Sequence, residues 1–246
     1  MLLKVESISK SYRRNGWLGG ERHQVLREVS LEWKKGESLG IIGESGSGKS
    51  TLGRLLLGIE KPNQGSITWN GRPITDRRVR RGTISVVFQN YVSSIHPFYT
   101  VRQALLEPLK HVGGQLGTKD MTELLCQVGL DESYLNKYPH ELSGGEAQRV
   151  CIARAVASVP QCILLDEAIS SLDGSVQMQV LELLKQLKET YEMGYIFITH
   201  DIQAAAYLCD RIMFVRGGEI VETVETTQLR HVQTEYAKEL LHKVLS

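Results

Sequence analysis

Cysteine is scarce in this 246-residue chain: four residues, standing apart as Cys126, Cys151, Cys162 and Cys209. None forms a C-x-x-C pair and no group of histidines accompanies them. Neither a disulfide framework nor a thiolate metal site is indicated, and the expectation is four buried, reduced thiols. Excess charge is also missing. Lys and Arg number 29 against 28 Asp and Glu, a formal net charge of +1, which argues against nucleic acid or an anionic lipid surface as the partner. The densest positive run, Arg77, Arg78, Arg80 and Arg81, reads as a solvated face. No stretch approaches the roughly 18 apolar residues that would cross a bilayer, and the N-terminal "MLLKVESISK" lacks the apolar region of a signal peptide. If the protein serves a membrane, it does so through a partner. Low-complexity tracts, long linkers and internal repeats are absent as well, leaving residues 1–246 as a single domain.

The composition, 41% hydrophobic and 23% charged, is that of a globular protein with enough chain to bury a core. "LLKVESISKSY" and "QVLREVSLEW" alternate as antiparallel strands, with "RRNGWLGGERH" between them as a long hairpin loop. "GESLGII" is a buried strand leading to the helix "STLGRLLLG". "GSITWNGRPI" is a hairpin about Asn70-Gly71, and "TISVVFQ" another short buried strand. From about Tyr91 to His140 the spacing becomes helical, an insert. Then come the helix "GGEAQRVCIARAVA", the strand "QCILLDE", the long helix "SVQMQVLELLKQLKETY", the strand "GYIFITH", the helix "IQAAAYLC", a hairpin at Gly217-Gly218 and a helical tail over 226–245. Short apolar strands alternating with helices predict an α/β fold. Its core is a parallel sheet with helices on both faces, and a second, antiparallel sheet lies beside it.

Gly43-Glu44-Ser45-Gly46-Ser47-Gly48-Lys49-Ser50 fits G-x-x-x-x-G-K-[ST] between a strand and a helix, the context that gives the pattern its meaning. Glycines let backbone N–H groups turn toward phosphates, and the helix N-terminus favours an anion. Lys49 reaches the β and γ phosphates of a nucleotide, the Ser50 hydroxyl binds Mg²⁺, and Thr51 adds a phosphate contact. The strand "CILLDE" supplies Asp166, for the metal, and Glu167, to polarise a water for in-line attack. Gln89 and His200 end two further strands, where ligands of open parallel sheets collect.

"HELSGGEAQRV" spends two glycines, Gly144 and Gly145, at the start of a helix, where each costs roughly 1 kcal/mol relative to alanine. Ser143 and Glu146 make a capping box, S-x-x-E, so the helix amides carry partial positive charge. With glycines there, nothing covers those amides. This is a second anion site, and the economical occupant is the γ-phosphate of a nucleotide held by another subunit.

With these segments in order, the chain resembles the ATP-binding subunits of ABC transporters over nearly its whole length. "GESGSGKST" resembles the Walker A motif, "LSGGE" with "QRV" the ABC signature, "CILLDE" Walker B and "SSLD" the D-loop. Gln89 resembles the Q-loop glutamine and His200 the switch histidine. The resemblance implies the P-loop NTPase fold of ABC ATPases, with residues 1–90 and 156–246 as core and antiparallel subdomain and about 91–155 as a helical subdomain. It implies ATP and Mg²⁺ as cofactors. Tyr12 would stack on adenine, Gln89 would join Ser50 and Asp166 at Mg²⁺, and Asp173 would join Ser143, Gly144 and Gly145 in the nucleotide-binding set. Two such subunits close head-to-tail around two ATP molecules. The groove near Gln89 receives a helix of the membrane subunit.

"FQNYVSSIHPFYTV" and "VQTEYAKELL" resemble the oligopeptide, dipeptide and nickel importers. In that subfamily the partners are a second, different ATP-binding subunit, two integral membrane permease subunits and, indirectly, an extracytoplasmic solute-binding protein. The seat is the cytoplasmic face of the cell membrane. The short tail resembles the compact members that carry nickel or metal–metallophore complexes rather than peptides. Departures from the pattern are Ala168-Ile169 and Ser171 after Walker B, Glu146 in the signature and His96 in "SSIHP". An exporter or lipid-extracting ATPase, or a soluble ATPase acting on nucleic acid or ribosomes, remains an alternative.

Overall fold

The computed structural model describes residues 2–13, 22–111, 113, 117–170 and 172–245. Most of the expected hairpin loop and Ser171 fall outside the described residues. In chain order the elements are β1 (Leu2–Arg13), β2 (Arg22–Lys34), β3 (Ser38–Ile42), α1 (Lys49–Leu56), β4 (Gln64–Trp69), β5 (Arg72–Pro73) and α2 (Arg77–Arg80). Next come β6 (Ile84–Phe88), α3 (Tyr91–Ser94), α4 (Val101–Leu106), α5 (Thr118–Gln127), α6 (Gly144–Val156), β7 (Cys162–Asp166) and α7 (Gly174–Tyr191). The chain ends with β8 (Gly194–Thr199), α8 (Ile202–Leu208), β9 (Arg211–Arg216), β10 (Glu219–Glu225) and α9 (Glu235–Leu245). They form two compact units, Met1–Arg80 with Ile196–Ser246, and Arg81–Tyr195. No helix among the described residues is long and apolar enough to cross a membrane.

In the first unit an antiparallel sheet runs β2-β1-β4-β5. Two bulges keep its inner face apolar. Val5 pairs with Leu31, Ile8 with Val29 and Lys10 with Leu26, so β1 takes an extra residue near Ser7 and β2 one near Glu28. Both bulged residues have φ 46°. Each bulge shifts the two-residue alternation by one, which leaves Leu3, Val5 and Ile8 of β1, and Trp33, Leu31, Val29 and Leu26 of β2, all buried. The Ser30 and Ser9 hydroxyls accept the N–H groups of Ser7 and Glu28, at 2.8 and 3.1 Å. Asn70 and Gly71, at φ 50° and 74°, make the expected tight hairpin turn between β4 and β5.

The same unit holds β3, buried at every position, parallel to β9, which pairs antiparallel with β10. Of the arginine run, Arg77, Arg78 and Arg81 are exposed. Arg80 instead donates to the carbonyls of Leu57 and Gly58, at 3.2 and 2.8 Å, capping the C-terminal end of α1. The tail is not one helix. A 3₁₀ segment over Thr226–His231 gives way to α9. The break lies where the Glu222 carboxylate accepts the N–H groups of Gln233 and Thr234, at 2.7 and 3.0 Å, and so caps α9 from β10.

In the second unit β6 and β7 pair in parallel. On α5, Met121, Leu124 and Leu125 are buried, with Val128 following at the same helical spacing. Cys126 lies off that stripe and is exposed, which corrects the expectation of four buried thiols. The other three are buried and none of the four is in a disulfide. Helix α6 is buried at eight positions, Ala147, Gln148, Val150, Cys151, Ile152, Ala153, Ala155 and Val156, as befits a helix with small residues packed on most sides. β8 is buried throughout and carries the chain back from the second unit to the first.

The turn between β9 and β10 gives a direct test. Gly217 and Gly218 have φ 56° and 86°, and a Cβ at Gly217 meets nothing within 4 Å, whereas one at Gly218 would lie 2.3 Å from the Val25 carbonyl oxygen. Gly217→Ala is expected to cost about 1 kcal/mol, the left-handed penalty alone. Gly218→Ala should cost at least about 2 kcal/mol more. Urea unfolding midpoints measured at unchanged slope check both.

Candidate functional site

The first unit holds the glycine-rich loop that follows β3. Gly43 is glycine because a Cβ there would sit 2.2 Å from the Val215 carbonyl oxygen and 2.8 Å from Ser47 Oγ. Gly48, at φ 103°, precedes α1, and its Cβ would lie 2.8 Å from both the Val25 carbonyl oxygen and Leu26. Glu44, Ser45 and Gly46 form the exposed crest, and Ser50 and Thr51 lie in the first turn of α1. The Lys49 side chain is drawn back into the loop, donating to the carbonyls of Gly43 and Glu44 at 2.6 and 3.0 Å.

Three observations fit a phosphate ligand here. The N-terminus of α1 has no side-chain cap and no acidic residue in its first turn. Ser47 Oγ is buried without a hydrogen-bond partner among the described residues. The positive-φ glycines turn the loop back on itself.

Two residues brace this loop that the motif reading passes over. The Tyr236 phenol of α9 accepts the Glu44 N–H at 3.0 Å and donates to the Val215 carbonyl at 3.3 Å, with the Arg216 guanidinium 4.9 Å from its ring centroid. Gly218 N–H donates to the Ser47 carbonyl at 3.1 Å. Tyr12, at the end of β1, is tied to the helix that follows the loop. Its hydroxyl donates to Glu60 Oε2 at 2.6 Å, Glu60 pairs with Arg54 of α1 at 2.8 Å and with Lys10 at 3.0 Å, and Arg54 also donates to the Thr51 hydroxyl at 3.2 Å. Burial alone would raise the Glu60 carboxyl. The Tyr12 hydrogen bond, together with Lys10 and Arg54, brings it below its ordinary value. His200 is exposed directly after β8, before Asp201, which caps α8 through the Ala204 N–H at 3.0 Å.

The second unit holds the remaining residues of interest. Phe88 is in register with Asp166, so Gln89 and Glu167 are the first residues beyond the same end of two adjacent parallel strands. Glu167 has φ 51°, a left-handed conformation that costs a glutamate about 1–2 kcal/mol. Its carbonyl accepts from the N–H and hydroxyl of Ser170, at 3.3 and 2.9 Å, which holds the turn. Asp173 caps α7 by accepting the Val176 N–H at 3.0 Å. That bond, with one from the Ser175 hydroxyl, lowers its carboxyl below the ordinary value.

Ser143 begins α6 with the expected capping box. Its N–H donates to Glu146 at 2.7 Å, and Glu146 N–H returns to Ser143 Oγ at 3.4 Å. The two glycines differ in purpose. A Cβ on Gly144 would press on the Tyr91 hydroxyl at 2.9 Å, while one on Gly145 meets nothing within 4 Å among the described residues. Gly144 admits α3 beside α6, and Gly145 leaves the helix end uncovered.

Ser50 in the first unit, and Gln89 and Asp166 in the second, carry hydroxyl, amide and carboxylate oxygens, each a hard donor of the kind that suits Mg²⁺. Among the described residues no cluster of three or more His, Cys, Asp or Glu is placed to hold a metal by itself.

The chain is similar to known proteins in both sequence and fold. The ABC transporter family pattern matches residues 26–170. The metal-staphylopine import system ATP-binding protein of Staphylococcus aureus (strain NCTC 8325) is 49% identical over 250 residues, spanning 100% of both chains. The nickel import ATP-binding protein of Escherichia coli (strain K12) is 43% identical over 231 residues, 90% of this chain and 86% of that one. A solved dimeric ATP-binding cassette in a post-hydrolysis state, bound to ADP and phosphate, superposes with TM-score 0.80 at 32% identity, over 92% of this chain and 99% of that one.

The cap of α6 carries a pH signature. A hydrogen bond from Tyr134, then those from Ser143, pull the Glu146 carboxyl from its ordinary 4.5 down to about 2. A lowered folded-state value stabilises the fold above the unfolded value and loses that contribution as pH falls through the folded one. Glu146→Ala is therefore expected to cost about 1 kcal/mol at neutral pH. The gap from wild type should narrow between pH 4.5 and about 2, measured by urea unfolding across that range. Glu146→Gln, which keeps an acceptor for Ser143 and Tyr134, should lose less than half as much.

Proposed function

The chain belongs to the ABC transporter family, and from that premise we propose that it is the ATP-hydrolysing motor subunit of a metal importer, seated on the cytoplasmic face of the cell membrane. The observation that carries this is the 49% identity, over the full length of both chains, with a metal-staphylopine import ATP-binding protein. The second relative, at 43%, is named for nickel import. The cargo inferred is a transition-metal ion in chelated form, delivered by a solute-binding protein to two membrane subunits. The partner across the nucleotide is a second, different ATP-binding subunit. The helical subdomain, about 91–155, receives the membrane subunit.

Each part of the site then has work to do. The backbone amides of Gly43 to Gly48 hold the triphosphate. Lys49 leaves its loop carbonyls for the β and γ phosphates, and Thr51 adds a contact. Tyr12 stacks on adenine. Ser50, Gln89 and Asp166 hold Mg²⁺, which when bound supplies neutralisation of charge on the phosphate oxygens. Glu167 takes the proton of the attacking water as it bonds to the γ-phosphorus, and the bond to the ADP oxygen breaks. His200 steadies the γ-phosphate. Ser143, Gly144 and Gly145 offer the uncovered end of α6 to the nucleotide held by the paired subunit, and Asp173 lies at the same interface. ATP binding closes the pair and moves the membrane subunits, and hydrolysis lets them reset.

Two measurements test this. Glu167→Gln is expected to lower ATP turnover about a hundredfold or more while ATP binding is kept; turnover near wild type would remove Glu167 as the base. In intact cells, Lys49→Ala should abolish uptake of nickel, cobalt or zinc and leave labelled dipeptide uptake unchanged. A dipeptide deficit alone would make the cargo a peptide.

A further inference from the structure

Gln148 sits one helical turn beyond Gly144 on α6 and is 0% exposed. Its side-chain amide donates to the carbonyl of Ala168, the residue after Glu167. Its other polar atom, Oε1, is buried with no hydrogen-bond partner among the described residues. A buried amide with half its capacity unmet is a poor choice for packing alone; what it supplies that methionine or leucine would not is the donor to the Ala168 carbonyl.

The bond it does make falls on a turn that is already strained. Glu167 is left-handed at φ 51°, its carbonyl is gripped by Ser170, and Ala168 and Ile169 are buried at 3% and 1% exposure. Gln148 therefore pins the carboxylate-bearing turn to α6 at its second residue.

Helix α6 also holds the segment after Gln89. The Cys151 thiol contacts the Tyr91 carbonyl at 3.4 Å, Arg154 donates to the Ser94 carbonyl, and the Tyr91 hydroxyl lies against Gly144. One end of α6 is thus left uncovered at Gly145, and its flank grips both strand ends that carry Gln89 and Glu167. A helix is stiff along its axis, so a small shift at Ser143–Gly145 reaches both grips.

We infer that Gln148 is a positioning residue that couples the two ATP sites: a nucleotide on the paired subunit, seated at the end of α6, sets the Glu167 turn of this subunit's own site through the Gln148–Ala168 bond. This rests on the reading of Glu167 as base and of Ser143–Gly145 as the contact to the paired nucleotide.

The test uses the complete transporter, with this chain as wild type, Gln148→Met, Gln148→Glu or Glu167→Gln. Gln148→Met removes the donor and the orphaned acceptor at nearly constant volume. It is expected to lower Tm by about 2–8 °C, because the Ala168 carbonyl loses its donor, to keep ATP binding within about twofold of wild type, to lower kcat about tenfold with little change in KM, and to bring the Hill coefficient for ATP down toward one.

Gln148→Glu supplies an independent check should the methionine variant fold poorly. Burial favours its neutral form, whose O–H can still donate to Ala168. Its kcat relative to wild type should rise as pH is lowered, while the Gln148→Met ratio stays flat. Unchanged kcat and cooperativity in Gln148→Met, or a Gln148→Glu ratio that does not respond to pH, would overturn the proposal. A lower kcat with wild-type cooperativity would overturn it too, by leaving position without coupling. Glu167→Gln separates the two levels of inference: if it turns over ATP as wild type does, the base assignment fails, whatever Gln148 does.

Discussion

A phosphate chain can be held by backbone N–H groups only where side chains stay out of the way, and the first unit is built around that constraint. Gly43 and Gly48 have no room for a Cβ, because the carbonyls of Val215 and Val25 stand 2.2 and 2.8 Å from where one would be. The loop therefore owes its shape to β9, far away in sequence, and to β2, close by in sequence, and both must arrive in the right register. The two bulges near Ser7 and Glu28 keep β2 paired with β1 while preserving an apolar inner face. The Gly217-Gly218 turn brings a backbone N–H to the Ser47 carbonyl. Tyr236 closes the arrangement by joining the loop to β9 through one hydroxyl.

The second unit solves a related problem with a helix end. The capping box occupies Ser143 and Glu146 with one another, so the remaining amides of the first turn stay available to a ligand. The cost of two glycines is divided. Gly144 lets Tyr91 approach, and Gly145 leaves the end open. Because α6 is buried on most sides and bonded to both α3 and the Ala168 carbonyl, what happens at its exposed end is mechanically tied to the residues that follow β6 and β7.

Much of this is legible in the sequence, for a physical reason. Walker A, the capping box, the Asn70-Gly71 turn and the buried strands are each set by residues within a few positions of one another, and local spacing is what a sequence displays. What escapes reading is contact made at long range. Tyr236 reaches Glu44 across 192 positions, and nothing in its own segment announces it beyond the likeness of "VQTEYAKELL" to a closing helix. Gln148 looks like one more polar residue on a helix until Ala168 is placed beside it. Cys126 is exposed because the stripe of α5 passes through Leu124 and Leu125. The tail divides because Glu222, on another element, takes the amides of Gln233 and Thr234.

The central claim is that the end of α6 completes a nucleotide site on a paired subunit, so that neither subunit hydrolyses ATP alone. The most direct measurement is ATP turnover per subunit, at saturating ATP and Mg²⁺, as this chain and its paired subunit are diluted together. Shared sites require turnover per subunit to fall as the pair dissociates and to reach a plateau at high concentration. Turnover per subunit that stays constant at every dilution, or equally fast turnover by this chain alone and monomeric, would contradict the account.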